Sequence, residues 1–365
     1  MRRQWIVSGL AATVMLSVGI HAAELDIAEI DKNFRPATVD GLKVNYLNAL
    51  EKPFEVTGFA WRKPGETLYR IPRTLTTKDV SGGVISLANH TSGGAIRFRT
   101  DSPYMTLRAT LHYGSDMNHM PRSGSAGFDL YLDAGSGKDR YVNTLQPGPA
   151  NVQGEIFERK LLTGTNNTMR DWTLYLPLYS GVKSLEIGVA PGSKVLPPLP
   201  QKVTKPILFY GSSITQGGCA SRPANNYTTM LCRTVDAPQI NLGFSGNAKG
   251  EIAMAKAIAE LDLAAFIYDY DYNTPTTEHL QQTHEPFFQE IRKAHPELPI
   301  IMLSKCSWVN PERRDIIKKT YQNAVDKGDK KVWFIDGAEL FGEAGALNST
   351  VDNCHPNDLG FYEMY

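Results

Sequence analysis

The sequence predicts a chain in two parts: an antiparallel β-sandwich, then an α/β domain built on a parallel sheet. Three observations predict it. Between Leu68 and Val195, short alternating apolar runs recur with Gly, Ser, Asn and Pro between them, the pattern of many short antiparallel strands. After Pro206, short apolar runs alternate with segments of helical period, as expected of parallel strands buried on both faces by crossover helices. Between the two regions stand Pro197, Pro198, Pro200 and Pro206; prolines at that density make a semi-rigid, extended connector. The boundary falls near residue 200, and a length of 365 residues suits two domains at about 150 residues each.

Residues 1–23 read as a secretory signal. Arg2 and Arg3 form a charged start, Trp5 to Ile20 an apolar core, and Ala22 and Ala23 a small-residue cleavage site. The apolar run is short for a membrane span, and no cysteine stands at the cleavage region to carry a lipid. The expectation is a secreted or periplasmic protein with no stable membrane anchor. The sandwich takes residues 24–200. It holds a strand near Phe54 to Phe59, then strands over Val84 to Leu87, Ala95 to Arg99, Met105 to Tyr113, Phe128 to Asp133, Asp171 to Leu176 and Ser184 to Val189, with no helix among them.

The second domain takes residues 201–365. Strand 206–210 leads to a helix over 225–235, and strand Gln239 to Gly243 to a helix over Ile252 to Leu261. Strand Ala264 to Tyr268 precedes a helix over Thr277 to Ala294, and strand Pro299 to Ser304 a helix over Pro311 to Lys327. Strand Val332 to Asp336 closes the series, and a last helix starts near Asn357. Ligands of such sheets bind beyond the carboxyl ends of the strands. Catalytic residues are therefore sought in the loops that follow strands.

Charge excludes one class of partner. The 38 basic and 38 acidic residues cancel, and no basic stripe offers a footprint for nucleic acid. Cys219, Cys232, Cys306 and Cys354 carry no C-x-x-C spacing or paired histidine, so no zinc site is expected. Export permits disulfides. The favoured pairing is Cys219 with Cys232 and Cys306 with Cys354, against four free buried thiols.

The chemistry centres on residues 206–223, PILFYGSSITQGGCASRP. A buried strand breaks at Gly211, and Ser212 and Ser213 stand where the chain turns towards a helix. A hydroxyl there is exposed, and nearby backbone N–H groups favour negative charge. A nucleophilic serine also needs a base. Asp352-Asn353-Cys354-His355-Pro356 offers one in the last strand-to-helix loop: an aspartate three residues before a histidine can hold the imidazole's tautomer. A second D-x-x-H, Asp116 to His119, has no strand–turn–helix context. Two more loops lie at the same predicted rim, Gly243 to Asn247 and Asp269 to Asn273. A glycine N–H and an asparagine amide there can donate to an oxyanion.

These four blocks, in this order, resemble those of the SGNH (GDSL-type) hydrolases. Gly127-Phe128-Asp129-Leu130-Tyr131 resembles the G-x-D-L-Y signature of the sandwich domain attached to one subgroup. The resemblance covers both domains. It implies a flavodoxin-like, three-layer hydrolase domain behind a jelly-roll-like sandwich. It implies Ser213 as nucleophile, His355 as base and Asp352 as its partner. The N–H groups of Ser213 and Gly246 and the amide of Asn273 would form the oxyanion hole, with no metal or organic cofactor. Two departures concern the subgroup: Ser212 replaces the commoner aspartate, and the third block reads Y-D-Y-N. Family members usually continue the last helix across the sheet, whereas Tyr365 falls one or two turns into it.

The other readings are weaker on the residues. Ser212 and Ser245 are rival nucleophiles without the motif position. Asp269 and Asp271 resemble a glycosidase carboxylate pair, but stand two apart on one strand end. Arg222, His119 and Trp308 are candidates for substrate contact, with a salt bridge, an exposed loop and core packing as their respective alternatives. The expected activity is hydrolysis of short acyl esters, acetyl foremost, on a carbohydrate or small-molecule substrate. A lipid acylhydrolase and a glycan-binding protein with an inert hydrolase half are the alternatives.

Overall fold

The computed structural model describes residues 35–114, 116–149, 154–307, 310–342 and 345–365. The expected signal segment and Trp308 lie outside the described residues. The N-terminal part contains β1 (Arg35–Val39), β2 (Leu42–Asn48), β3 (Glu55–Thr57), β4 (Ala95–Thr100), β5 (Tyr104–Gly114), β6 (Phe128–Leu132), β7 (Arg140–Leu145), β8 (Ile156–Thr163), β9 (Arg170–Tyr175), β10 (Ser180–Val189) and β11 (Val195–Leu196). They form two antiparallel sheets, β1-β2-β10-β5-β8 and β11-β4-β9-β6-β7, with β3 added beside β4. Phe98, Leu107, Phe128, Leu130, Phe157, Trp172 and Ile187 fill the space between them.

One expected strand is wrong. Val84 to Leu87 lies in a helix, Gly82–Leu87, capped by Ser81, whose Oγ accepts from the Val84 N–H. The apolar run is short enough to fit either period. Its burial is on the other domain: Tyr69, Ile71, Val80, Val84 and Ala88 join the core of the α/β part. Residues 69–88 thus cross from the sandwich to cover the neighbouring sheet.

The C-terminal part carries β12 (Ile207–Gly211), β13 (Gln239–Gly243), β14 (Ala265–Asp269), β15 (Ile300–Leu303) and β16 (Val332–Ile335), all parallel, in the order β13-β12-β14-β15-β16. That is the doubly wound flavodoxin-like order, whose ligand crevice opens where the chain switches direction across the sheet. β12 sits at the switch, so the loops after β12, β13 and β14 meet there. Helices Tyr227–Val235, Ile252–Ala259, Thr277–Ala294 and Pro311–Asp326 follow the successive strands. The last helix, Asp358–Met364, is capped by Asn357. Seven residues do not hold a helix alone; fully buried Phe361, stacked on Tyr227 with ring centroids 6.3 Å apart, pins it to the domain.

The four cysteines are free thiols: Cys219, Cys232 and Cys306 are buried and Cys354 half-buried. Neither favoured disulfide forms. Cys232 is on the helix Tyr227–Val235, packed into an apolar cluster with Phe209 and Met230. Cys219 lies in a left-handed turn outside that helix. No group of metal-ligating side chains occurs among the described residues, and no helix among them is long and apolar enough to cross a membrane.

Candidate active site

Ser213 opens the short helix Ser213–Gln216 at the end of β12. The turn is sharp because three features allow it. The Ser212 side chain caps the helix by accepting from the Ile214 N–H. A Cβ on Gly211 would meet Asp269 Oδ1 at 1.6 Å. Gly217 closes the helix with φ at +101°, which glycine alone adopts freely. Ser213 remains partly exposed while its neighbours are buried.

The hydroxyl faces the C-terminal loop. Ser213 Oγ is 2.8 Å from His355 Nε2, and His355 Nδ1 is 2.8 Å from Asp352 Oδ2. The other carboxylate oxygen accepts from the backbone N–H groups of His355 and Cys354, at 2.7 and 3.1 Å. Partial burial works against ionising Asp352, but these N–H donors and the imidazole outweigh it and hold the carboxyl below its ordinary range. A carboxylate at Nδ1 demands the proton there and leaves the Nε2 lone pair for the serine. Gly218 makes room for the ring: a Cβ there would lie 3.2 Å from His355 Cδ2.

The oxyanion-side loops come to the same rim. Gly246 has φ at +67° and is exposed. Asn273 donates one amide N–H to the Phe244 carbonyl at 2.9 Å, which ties the loop after β14 to the loop after β13. An amide has two N–H donors, so this bond does not exhaust it. Gln216 ties both to the nucleophile turn, its Oε1 accepting from the Ser245 N–H at 2.9 Å.

The sandwich supplies much of the scaffolding. Buried His90 faces Gln216 Nε2 at 3.0 Å, and burial pushes its pKa down to about 3, so it stays neutral. Ser92 donates to the Gln216 carbonyl at 2.7 Å, and Tyr179 donates to the Ser213 carbonyl at 3.2 Å. Fully buried Arg70 donates to the carbonyls of Asn241 and Gly243, fixing the end of β13. The sequence reading missed all of these. No spacing links them to the motifs, because they are neighbours only through the domain interface.

The remaining candidates fall on different sides of the rim. His119 is exposed and its ring centroid lies 6.1 Å from that of His355, so the sandwich loop does fold over the site. Arg222 does not face the rim. Its guanidinium bonds Asp129 and Tyr131 and lies over the Tyr141 ring, all in the sandwich. Tertiary packing supplied partners that sequence could not reveal. Asp269 and Asp271 are not an open carboxylate pair. Both are buried; Asp269 accepts from Thr215 and Tyr227, and Asp271 from the N–H groups of Tyr272 and Lys305. Burial, chiefly, raises them to about 7 and about 6.

Comparison with known proteins identifies the family. Residues 204–365 match the model of the GDSL-like lipase/acylhydrolase family, and residues 44–195 match that of the N-terminal domain of SGNH-hydrolase-type esterases named for GxDLY. No curated protein matches the chain. Among solved structures, a GDSL-like lipase from Bacteroides ovatus is 30% identical, with a TM-score of 0.77, over 88% of this chain and 94% of that one. A salicylyl-acyltransferase from a tetracycline biosynthetic pathway shares the fold at 18% identity and TM-score 0.74, over 88% and 94%. An acetyl xylan esterase from the rumen bacterium Butyrivibrio proteoclasticus shares it at 14% and 0.56, over 88% and 95%. The chain belongs to the GDSL-like, SGNH-type esterase family, in the group carrying a GxDLY N-terminal domain, and is a carboxylic ester hydrolase.

Proposed function

We propose that the protein is an exported serine esterase that removes short acyl groups, acetyl foremost, from a carbohydrate. The observation that carries the chemistry is the unbroken Ser213–His355–Asp352 relay, with both side-chain links at 2.8 Å. Ser213 Oγ attacks the ester carbonyl as its proton passes to His355 Nε2. The Ser213 and Gly246 N–H groups and the Asn273 amide hold the oxyanion; each such donor is typically worth about a hundred- to a thousandfold in turnover. His355 returns the proton to the departing alcohol, leaving an acyl-serine. Water, activated by the same imidazole, then releases the acid.

The site's polar rim supports a carbohydrate alcohol over a lipid. Ser245, Gly246, Asn273 and His119 border it, and hydroxyl-rich substrates are recognised by such groups rather than by apolar lids. The similarity in fold to an acetyl xylan esterase points the same way. Export rests on the leader-like residues 1–23, and cell fractionation tests it.

Ser213→Ala should abolish release of p-nitrophenol from its acetate and labelling by a fluorophosphonate, with the circular dichroism spectrum unchanged. Retained turnover would refute the nucleophile. Wild type should prefer acetyl over butyryl and octanoyl esters and release acetate from acetylated glycans. A preference for octanoyl would make it a lipid acylhydrolase, and absence of labelling would make it a binding protein.

A further inference from the structure

Asp129, the acid of the G-x-D-L-Y signature, sits in β6, where alternation puts Phe128, Leu130 and Leu132 into the sandwich core. Asp129 and Tyr131 therefore point out of the opposite face of the sheet. In an isolated sandwich that face would be wet. Here both residues are buried, at 0% and 4% exposure, because the α/β domain docks on them.

The carboxylate is fully used. Oδ1 accepts from Thr144 Oγ1 at 2.5 Å; Oδ2 accepts from the Ala224 N–H at 2.9 Å and from Arg222 Nη1 at 3.2 Å. Arg222 also donates to Tyr131 at 2.9 Å. Both donors from the α/β domain belong to residues 219–226, the segment leaving the nucleophile helix. The same segment is gripped from the other side by the helix that follows His355. Asp358 accepts from the Ser221 N–H at 2.8 Å, from the Ser221 hydroxyl, and from Asn225 at 2.9 Å. Asn226, at the end of the segment, donates to the Thr215 carbonyl in the nucleophile turn at 2.9 Å.

We propose that Asp129 is a positioning residue for ester hydrolysis: through Arg222 and Ala224 it fixes segment 219–226, and that segment sets the Ser213–His355 register. The GxDLY domain is then part of the catalytic scaffold rather than an appended module. The segment touches the sandwich, the nucleophile turn and the histidine helix at once. A shift in it moves the serine and the imidazole by different amounts. An error of about 1 Å in such a contact can cost about a hundredfold in rate. This inference rests on the Ser213–His355 reading of the site.

The test is Asp129→Ala and Asp129→Asn, with Arg222→Gln as the milder variant in case the buried substitutions do not fold. Each is assayed on p-nitrophenyl acetate well below its melting temperature, and turnover is divided by the fraction of sites titrated with a fluorophosphonate. The expected result is a fall in kcat per titrated site of about tenfold to a hundredfold, with KM within about twofold of wild type. Arg222→Gln should show a smaller fall of the same kind. Unchanged kcat per site, with only a lower melting temperature or fewer titratable sites, would overturn the proposal: Asp129 would then serve stability alone. A raised KM with unchanged kcat would also overturn it and make the cluster part of a substrate site. Ser213→Ala, run beside them, keeps the two failures apart: turnover in that variant would sink the Ser213–His355 reading on which the inference rests, whereas an inactive Ser213→Ala beside unchanged kcat in the Asp129 variants would sink the positioning role alone.

Discussion

Replacing Asp352 by asparagine probes the relay where its logic is most exposed. Asp352 Oδ1 accepts from two backbone N–H groups, at 2.7 and 3.1 Å, while Oδ2 meets His355 Nδ1 at 2.8 Å. An asparagine must give its oxygen to the two backbone donors. Its NH2 then points at Nδ1, which has to accept. The imidazole proton moves to Nε2, facing Ser213, and the ring can no longer take the serine's proton. A buried triad changed this way loses about ten-thousandfold in kcat. The site has one escape. If the amide flips, the correct tautomer returns, but two backbone N–H groups lose their acceptor at about 1 kcal/mol each. That cost of about 2 kcal/mol is about thirtyfold at 1.36 kcal/mol per decade. The expected loss in kcat therefore lies between about thirtyfold and ten-thousandfold. The Asp352 side chain is 38% exposed, and solvent screening favours the lower part of that range. Asp352→Ala should lose less, because water at Nδ1 imposes no tautomer. Steady-state hydrolysis of p-nitrophenyl acetate measures all three proteins. Asparagine within threefold of wild type, or alanine slower than asparagine, would refute the reasoning.

Two further predictions follow from the same geometry. Gly218→Ala places a methyl 2.9 Å from the Tyr179 hydroxyl, 3.0 Å from the Ser213 carbonyl and 3.2 Å from His355 Cδ2. It should lower kcat about tenfold or more with little change in KM, and an unaltered kcat would mean that the ring does not pack there. Asp269 is raised from 3.8 to about 7, chiefly by burial. A raised folded-state pKa adds stability below the unfolded value that is lost as pH rises through the folded one. The melting temperature of wild type should therefore decline between about pH 4 and 7 more steeply than that of Asp269→Asn, whose amide does not titrate; parallel curves from calorimetry would contradict this.

Much of the α/β domain was legible because its signals are local. Parallel strands buried on both faces appear as unbroken apolar runs, and the helix Thr277–Ala294 ends where its period does. The sandwich was less legible. Strand β8 exposes Arg159 and Lys160, and β7 is half-buried in its middle with polar residues among its apolar ones, so their alternation is diluted. The segment Gly82–Leu87 was misread because six residues fit a strand or a helix, and the deciding surface belongs to the other domain. Ser213, Gly246, Asn273, Asp352 and His355 were visible as motif residues. Gln216, His90, Tyr179, Arg70 and Asp129 hydrogen-bond the turns and segments around them, yet carry no chemical signature at their positions in the chain.

By itself the sequence pointed to the order of strands and helices in the α/β domain, to an antiparallel part followed by a parallel one, and to a serine, a histidine and an aspartate that could work together. Those follow from periodicity and from residue types that a nucleophile and its base require. Only the tertiary structure decided that Arg222 is spent on the domain interface, that Asp269 and Asp271 are buried supports, and that the sandwich grips the nucleophile turn. The physical reason is that partners for a buried charge are chosen by contacts between residues as distant as Asp129 and Ala224, and no local pattern records where two surfaces will meet.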